Sequence, residues 1–352
     1  MNQRKVIALC IVLALVLTSF AGCGGGGDGG GNGEPAEYSA DNPITLRLAS
    51  DAPTEHIATG LNKDACAMVE ERTEGRVKIQ YFGAGGLGDY NTVYEEVVRG
   101  TIDLAQITIP EAIDPRLGAP YLPYYATSYE EVKDLYAPDS FMCQELGKLT
   151  ETTNVRFLGI VLEGFIGQGY VKEPADIFNP GANKYVKSRS PSMVTFYQPM
   201  EDLGFGPVSI AYGEVPTAIQ TNVVDGWVGG TPNMNYAWVG EMINFMYVNY
   251  IHAEATSYVM SEKTLGKLTP EDQEIVIGVF EEQSLNSFTL AEENEKVFMK
   301  KLEDDYGVEV IEFTPEQIQV YADFVRETSW PAIEELLTKE LMDGFRREVG
   351  LL

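Results

Sequence analysis

The chain has little histidine, with only His56 and His252 among 352 residues, and little cysteine, with four. Neither histidine stands in an HExxH or beside a CxxC, so the spacing gives no support to a zinc site or a cysteine–histidine nucleophile. Positive charge is also scarce: 25 Lys and Arg face 53 Asp and Glu, a net −28. That balance argues against nucleic acid or an anionic membrane surface as a partner. No nucleophile elbow, phosphate-binding loop or paired catalytic carboxylate signature stands out, so catalysis finds no support and no cofactor is expected. The acids that dominate the charge lie on predicted helix surfaces such as Glu281-Glu282 and Glu292-Glu293, which reads as a solvated exterior.

The one long apolar run is Val6 to Phe20, about fifteen residues behind Arg4 and Lys5, shorter than the roughly 20 that span a bilayer. It ends in Phe20-Ala21-Gly22-Cys23, which reads as a signal peptide over residues 1–22. Those last four residues resemble the lipobox of bacterial lipoproteins, with Phe20 in place of the usual leucine, so Cys23 is the expected lipidation site. Residues 23–42 are glycine-rich and polar, a flexible tether with no apolar surface to bury. Cleavage leaves 330 residues carrying 23 basic and 53 acidic side chains, a net −30, enough chain for two ordinary domains. Cys10 leaves with the leader, and Cys66 and Cys143 remain, each in a helical stretch. Two isolated cysteines make no disulfide framework, and whether they pair stays open.

From residue 43 strands and helices alternate. Strands are predicted at 44–49, 76–82 and 102–109 with helices at 65–73 and 89–99, then a Pro- and Tyr-rich loop at 115–125 and a helix over 130–151. Further strand-like runs fall at 156–162, 185–190, 223–228, 246–251 and 258–261, with a helix near 192–203. This predicts an α/β fold in two units. Thr269-Pro270-Glu271-Asp272 is a strong helix start, and nothing worse than Gly278 interrupts the pattern before Gly307. Some 35 residues at 1.5 Å each span roughly 50 Å, enough to cross both units; the alternative is a break near Gly278 or Asn286. A last helix, 314–341, is interrupted at Pro331. Gly83-Ala84-Gly85-Gly86-Leu87-Gly88 matches GxGxxG, but it follows the second strand and no acid ends the next one, so it reads as a glycine turn rather than a dinucleotide loop.

The most informative stretch runs from Lys184-Tyr185-Val186-Lys187-Ser188-Arg189-Ser190 to Tyr212-Gly213-Glu214-Val215 and on to Val224-Asp225-Gly226-Trp227. With Glu201-Asp202-Leu203-Gly204-Phe205-Gly206-Pro207, Glu71-Arg72-Thr73-Glu74-Gly75-Arg76-Val77 and Leu268-Thr269-Pro270-Glu271-Asp272-Gln273, it resembles the substrate-binding subunits of tripartite ATP-independent periplasmic (TRAP) transporters, the DctP family, over residues 44–340. The resemblance implies a two-lobed clamshell of periplasmic-binding-protein type, with mixed sheets and one long helix bridging both lobes. Lobe 1 is expected at 43–163 with 256–294, and lobe 2 at 164–255 with 295–352. It also implies an extracytoplasmic protein, anchored to the cell membrane through its lipid or free in the periplasm. Such a protein binds a small organic acid between the lobes and delivers it to membrane permease subunits, and is not an enzyme. An exported α/β hydrolase, or the binding protein of an ATP-driven transporter or a sensor, is the alternative.

In the family a strand arginine pairs with the substrate carboxylate, and Arg189 holds that position; a planar guanidinium presents two parallel donors to two carboxylate oxygens. Tyr212 and Trp227 are the expected aromatic contacts. The family's second arginine is replaced by Ile166, and its Glu-Asn-Pro by Val228-Gly229-Gly230-Thr231-Pro232, leaving Asn233 or Asn235 to assist Arg189. These departures point away from dicarboxylates and sialic acid, toward a monocarboxylate with an apolar or aromatic body.

Overall fold

The computed structural model describes residues 38–352. The leader at 1–22, Cys23 and the tether as far as residue 37 lie outside the described residues. Tyr38, which the sequence places inside the tether, is fixed: its hydroxyl donates to Asp272 at 2.6 Å and accepts from the Thr269 amide at 2.9 Å.

Among the described residues nine strands form one mixed sheet: β1 (Ile44–Ser50), β2 (Val77–Phe82), β3 (Leu104–Ile107), β4 (Val155–Tyr170), β5 (Lys187–Ser190), β6 (Gly206–Ser209), β7 (Gly226–Gly230), β8 (Phe245–Ser261) and β9 (Glu309–Glu312). Their order is β2-β1-β3-β8-β4-β7-β5-β6, with β9 added beside β8. β1 runs parallel to β2 and β3, and β5 runs parallel to β6 and β7. The two parallel sets are joined by β4 and β8, which run antiparallel from Val155 opposite Ser261 to Tyr170 opposite Phe245. The register shows how the sets face each other. Ile107 pairs with Ser257, and Gly230 with Gly167, so the carboxyl ends of both sets point at the middle of the β4–β8 ribbon, around Glu163 and Glu254.

Sequence periodicity ends β4 near Leu162 and splits β8 at 252–257, where polar residues interrupt the apolar run; both strands are continuous and almost wholly buried. Strands covered on both faces need not alternate, and here the polar residues are paired inside rather than exposed. The register shifts beside Gly159, Gly164 and Gly167, which lets the ribbon bend between the two sets.

The helix Pro270–Tyr306 runs unbroken for 37 residues, about 55 Å. Thr269 caps it by accepting from the Asp272 amide, and Gly307 ends it in the left-handed conformation at φ 69°. It lies directly on β4: Ser284 donates to the Ile160 carbonyl, and Ser287 Oγ accepts from the Leu162 amide at 2.9 Å. Its first turn bonds Arg76, just before β2, through Asp272 at 2.8 Å, and near its end Tyr236 of the helix that follows β7 donates to Asp305 at 2.9 Å, so one helix reaches the elements on both sides of the ribbon.

The helix predicted over 130–151 is two, Tyr129–Leu135 and Phe141–Glu151, each started by a serine cap with Pro138 between them. The last predicted helix is likewise Pro315–Thr328, Trp330–Leu337 and Lys339–Glu348. Cys66 and Cys143 are both free thiols, and burial pushes each up to about 12. Among the described residues no helix is long and apolar enough to cross a membrane.

Candidate functional site

Where the carboxyl ends of the two strand sets converge there is a cavity lined from both sets and from the ribbon, the kind of concave, mixed apolar and polar place where small molecules bind. One wall comes from the first set: Asp51 and His56 after β1, Tyr90 at the start of its helix, and Thr108 after β3. The opposite wall comes from the second set: Arg189 on β5, Met193 and Phe196 behind it in sequence, Tyr212 and Gly229. The ribbon supplies the floor with Glu163, Glu254 and Thr256. A wider mouth, lined by Gly85, Asp89, Glu111 and Trp238, shares Asp51, Tyr90, Met193 and Tyr212 with the cavity.

Arg189 is 3% exposed. Its Nε donates to the Ile210 carbonyl at 2.9 Å and one terminal nitrogen approaches the Val228 carbonyl at 3.4 Å. Its guanidinium carbon stands 6.0 Å from the Trp227 ring centroid. Carbonyls and an indole hold the group in place, and among the described residues no carboxylate pairs with it. Burial therefore lowers its pKa to about 10, which still leaves it charged near neutrality. A buried cation without a counterion is costly. The approach of the guanidinium to β7 depends on Gly229, at φ 121°, where a Cβ would come within 3.0 Å of an Arg189 nitrogen.

The acids on the floor are engaged unequally. Glu163 Oε1 accepts from Gln106 at 2.8 Å and from Thr256 at 2.7 Å. Glu254 Oε1 accepts from the Tyr121 hydroxyl at 2.6 Å. Burial pushes Glu163 well above the usual carboxylate range, Glu254 to about 8 and Asp51 to about 6. His56 caps the helix Ile57–Arg72 through Nδ1, which accepts from the Ala58 amide at 3.3 Å; its proton therefore sits on Nε2, 3.3 Å from Glu163 Oε2. Burial lowers His56 to about 4, so it is neutral. His252 Nε2 meets the Thr195 carbonyl at 2.9 Å and its ring stacks on Phe196.

Of the four residues expected from sequence, Arg189 and Tyr212 line the cavity. The Tyr212 hydroxyl is buried without a partner, and its ring stacks on Trp238 at 4.2 Å. Trp227 is placed behind Arg189, 1% exposed, with Nε1 donating to Asn235 at 2.8 Å. Asn233 is buried one turn away in the helix Pro232–Val239, and both its amide atoms lack partners. Asn235, the other asparagine considered, is spent on Trp227 and on the carbonyls of Gly230 and Thr231. Ile166 is buried in the ribbon opposite His252. Sequence reasoning missed Asp51, His56, Tyr90, Glu163 and Glu254. They are dispersed along the chain and meet only through the topology; the signal available was acids interrupting otherwise apolar strands at 163 and 254. The GxGxxG segment is a turn: Ala84 and Gly85 donate their amides to the carbonyls of Ala52 and Ser50, fixing the strand end that carries Asp51.

Comparison with known proteins agrees with this architecture. A family model described as bacterial extracellular solute-binding protein, family 7 (DctP), matches residues 48–333. The chain is 28% identical over 227 residues to the uncharacterized protein YiiZ of Salmonella typhimurium, covering 59% of this chain and 63% of that protein. Among solved structures, the sugar acid binding protein DctPAm of Advenella mimigardefordensis, in complex with galactonate, superposes with a TM-score of 0.79 at 15% identity, over 88% of this chain and 98% of the other. A TRAP periplasmic solute-binding protein of Desulfovibrio salexigens with bound orotic acid gives 0.78 at 16% identity, over 88% and 99%. Two parallel strand sets facing each other across a continuous ribbon, a helix spanning both, and a family model covering most of the sequence lead to one assignment: the chain belongs to the DctP family of bacterial extracellular solute-binding proteins, the substrate-binding subunits of TRAP transporters.

Proposed function

We propose that this protein captures a small organic acid outside the cytoplasmic membrane and presents it to the permease subunits of a TRAP transporter, binding the solute without transforming it. The observation that carries the reading is Arg189, a buried guanidinium held by carbonyls and facing the cavity, with no carboxylate in ion-pair contact with it among the described residues. A ligand carboxylate supplies the missing charge and accepts from the remaining N–H groups. Tyr212 contacts the body of the ligand. Asn233, with an unpartnered amide at the turn after β7, assists the arginine, and Trp227 backs it. The galactonate and orotic acid complexes of the structural relatives are carboxylate complexes, which supports the class of ligand and not its identity.

The lobes at 43–163 with 256–294 and at 164–255 with 295–352 close around the ligand, because the closed state alone offers both walls to it. Acylation at Cys23 keeps the protein at the membrane, and the glycine tether gives it reach. Thermal denaturation of the purified chain against a panel of carboxylates tests the ligand class. At 100 times its Kd, a ligand specific for the folded state adds about 2.7 kcal/mol. The reading expects at least one acid to raise Tm and Arg189→Ala to abolish the rise; stabilisation that survives Arg189→Ala refutes it. Intact mass of the mature protein tests acylation, and an unmodified N-terminus elsewhere than Cys23 would remove the anchor.

A further inference from the structure

The cavity holds more acid than a plain carboxylate ligand calls for. Arg189 is its one cationic side chain, and it faces the three carboxyl groups of Asp51, Glu163 and Glu254. Glu163 is turned to the protein, with one oxygen bonded to Gln106 and Thr256 and the other toward His56. Glu254 is half used: Tyr121 occupies Oε1, and among the described residues nothing donates to Oε2. Among the described residues no side chain hydrogen-bonds the Asp51 carboxylate, which is held only by its own backbone amide. Two acids thus keep open acceptor oxygens toward a space that also contains an uncompensated guanidinium and the unpartnered Tyr212 hydroxyl.

We propose that the ligand is an aminocarboxylate, its carboxylate on Arg189 and its ammonium on the open oxygens of Glu254 and Asp51. This rests on the reading of Arg189 as the carboxylate site and narrows the ligand class. A keto acid offers those oxygens no donor and a simple hydroxy acid only one. An ammonium brings three N–H donors and a positive charge, and Tyr90, Tyr121 and Tyr212 line the same cavity.

Protonation supports the same assignment. In the empty cavity burial holds Glu254 near 8, against the lowering effects of Arg189 and of the Tyr121 hydrogen bond and with the raising effect of Asp51; Glu163 is raised further, while His56 stays neutral. At neutral pH Glu254 therefore carries a proton that an incoming ammonium drives off and an incoming hydroxyl does not.

The test is isothermal titration of the purified chain with matched pairs that differ only in NH3⁺ against OH: alanine and lactate, phenylalanine and phenyllactate, γ-aminobutyrate and γ-hydroxybutyrate. Each is run at neutral pH in phosphate and in Tris, whose ionisation heats differ. The amino member of at least one pair should bind about tenfold tighter or better and release close to one proton, read from the difference in heat between buffers. Glu254→Gln should remove the preference and the proton release while leaving weaker, Arg189-dependent binding. Asp51→Asn should reduce the preference too, and serves if the Glu254 variant does not fold. Hydroxy acids that bind as tightly as their amino partners, or an amino preference that survives both Glu254→Gln and Asp51→Asn, overturn the aminocarboxylate while leaving the organic-acid reading intact. If no member of any pair binds and Arg189→Ala changes nothing, both readings fall together.

Discussion

Glu111 Oε1 accepts a hydrogen bond at 3.1 Å from the backbone amide of Val194, so a carboxylate from the loop after β3 caps a helix whose own N-cap residue, Met193, provides no side-chain oxygen. The capped helix, Val194–Asp202, follows β5 and begins just beyond Arg189. A cap of this kind is worth about 0.5–2 kcal/mol. Glu111→Ala should lower unfolding stability by that amount in urea titration, whereas Glu111→Gln, which keeps an acceptor oxygen, should lose less. Equal losses in the two variants would show that the cap is not what Glu111 contributes.

Burial gives this protein an unusual pH profile. Asp51, Glu111, Glu254 and Glu295 are raised to about 6, 7, 8 and 7, from ordinary values near 4. Each binds its proton more tightly folded than unfolded, so each contributes stability at low pH that is lost as pH rises through the folded value. His56 and His252 act oppositely: lowered to about 4 and about 3 from 6.5, they cost stability as pH falls below 6.5. The four acids outnumber the two imidazoles through the overlapping window. The Tm of the ligand-free chain should therefore decline from about pH 5 to about pH 8. Glu295 accepts from the hydroxyls of Tyr129 at 2.9 Å and Tyr250 at 2.8 Å, and Glu295→Gln should keep an acceptor there while flattening the decline. A Tm that climbs steadily over the same range would contradict these assignments.

How far the sequence reached depended on whether a feature is local. The helix start at Thr269-Pro270 and its end at Gly307 are written in neighbouring residues, and the 37-residue helix follows them. The strands β1 to β3 carry ordinary apolar patterns and were legible. The ribbon was not, because His252, Glu254 and Thr256 look like loop residues until Thr195, Tyr121 and Gln106, all distant in sequence, supply their partners. Arg189 was found through its motif, since on residue type alone an arginine before Ser-Pro reads as surface. Asp51 and Glu254 have no motif; they become a site only when the carboxyl ends of β1 and β5 are turned toward the middle of β8.

Gly229 should be intolerant of substitution. Its φ of 121° suits glycine alone, and any Cβ would press on the Arg189 guanidinium at 3.0 Å. Gly229→Ala should cost about 1–3 kcal/mol in stability through backbone strain and also weaken carboxylate binding by displacing the guanidinium. Titration with whichever acid the panel identifies checks the second effect; unchanged affinity would show that the arginine does not need this approach.

Trp227 separates support from contact. Its Nε1 donates to Asn235 at 2.8 Å, and that amide in turn ties down the Gly230 and Thr231 carbonyls. Trp227→Phe leaves the Asn235 oxygen buried without its donor, a cost of about 1–3 kcal/mol. Stability should fall by that amount while affinity for the ligand changes less than tenfold. An affinity loss far exceeding the stability loss would place the indole against the ligand.

The seam between the long helix and β4 depends on the absence of a side chain. Gly159, at φ 142°, sits beneath Ser284, where a Cβ would lie 2.6 Å from Oγ and 2.8 Å from Cβ of the serine. That serine donates to the Ile160 carbonyl, and Ser287 takes the Leu162 amide where the ribbon register shifts. Gly159→Ala must either push the helix off the strand or open these two hydrogen bonds, and the helix cannot yield locally because it is also packed against the helices Ile57–Arg72 and Pro232–Val239. The variant should lose about 1–3 kcal/mol or more from overpacking and strain together, and amide exchange should accelerate at Leu162. Ser284→Gly in the same chain removes the colliding side chain and should recover part of the loss. Failure of that second change to recover any stability would locate the cost in the backbone of β4 alone.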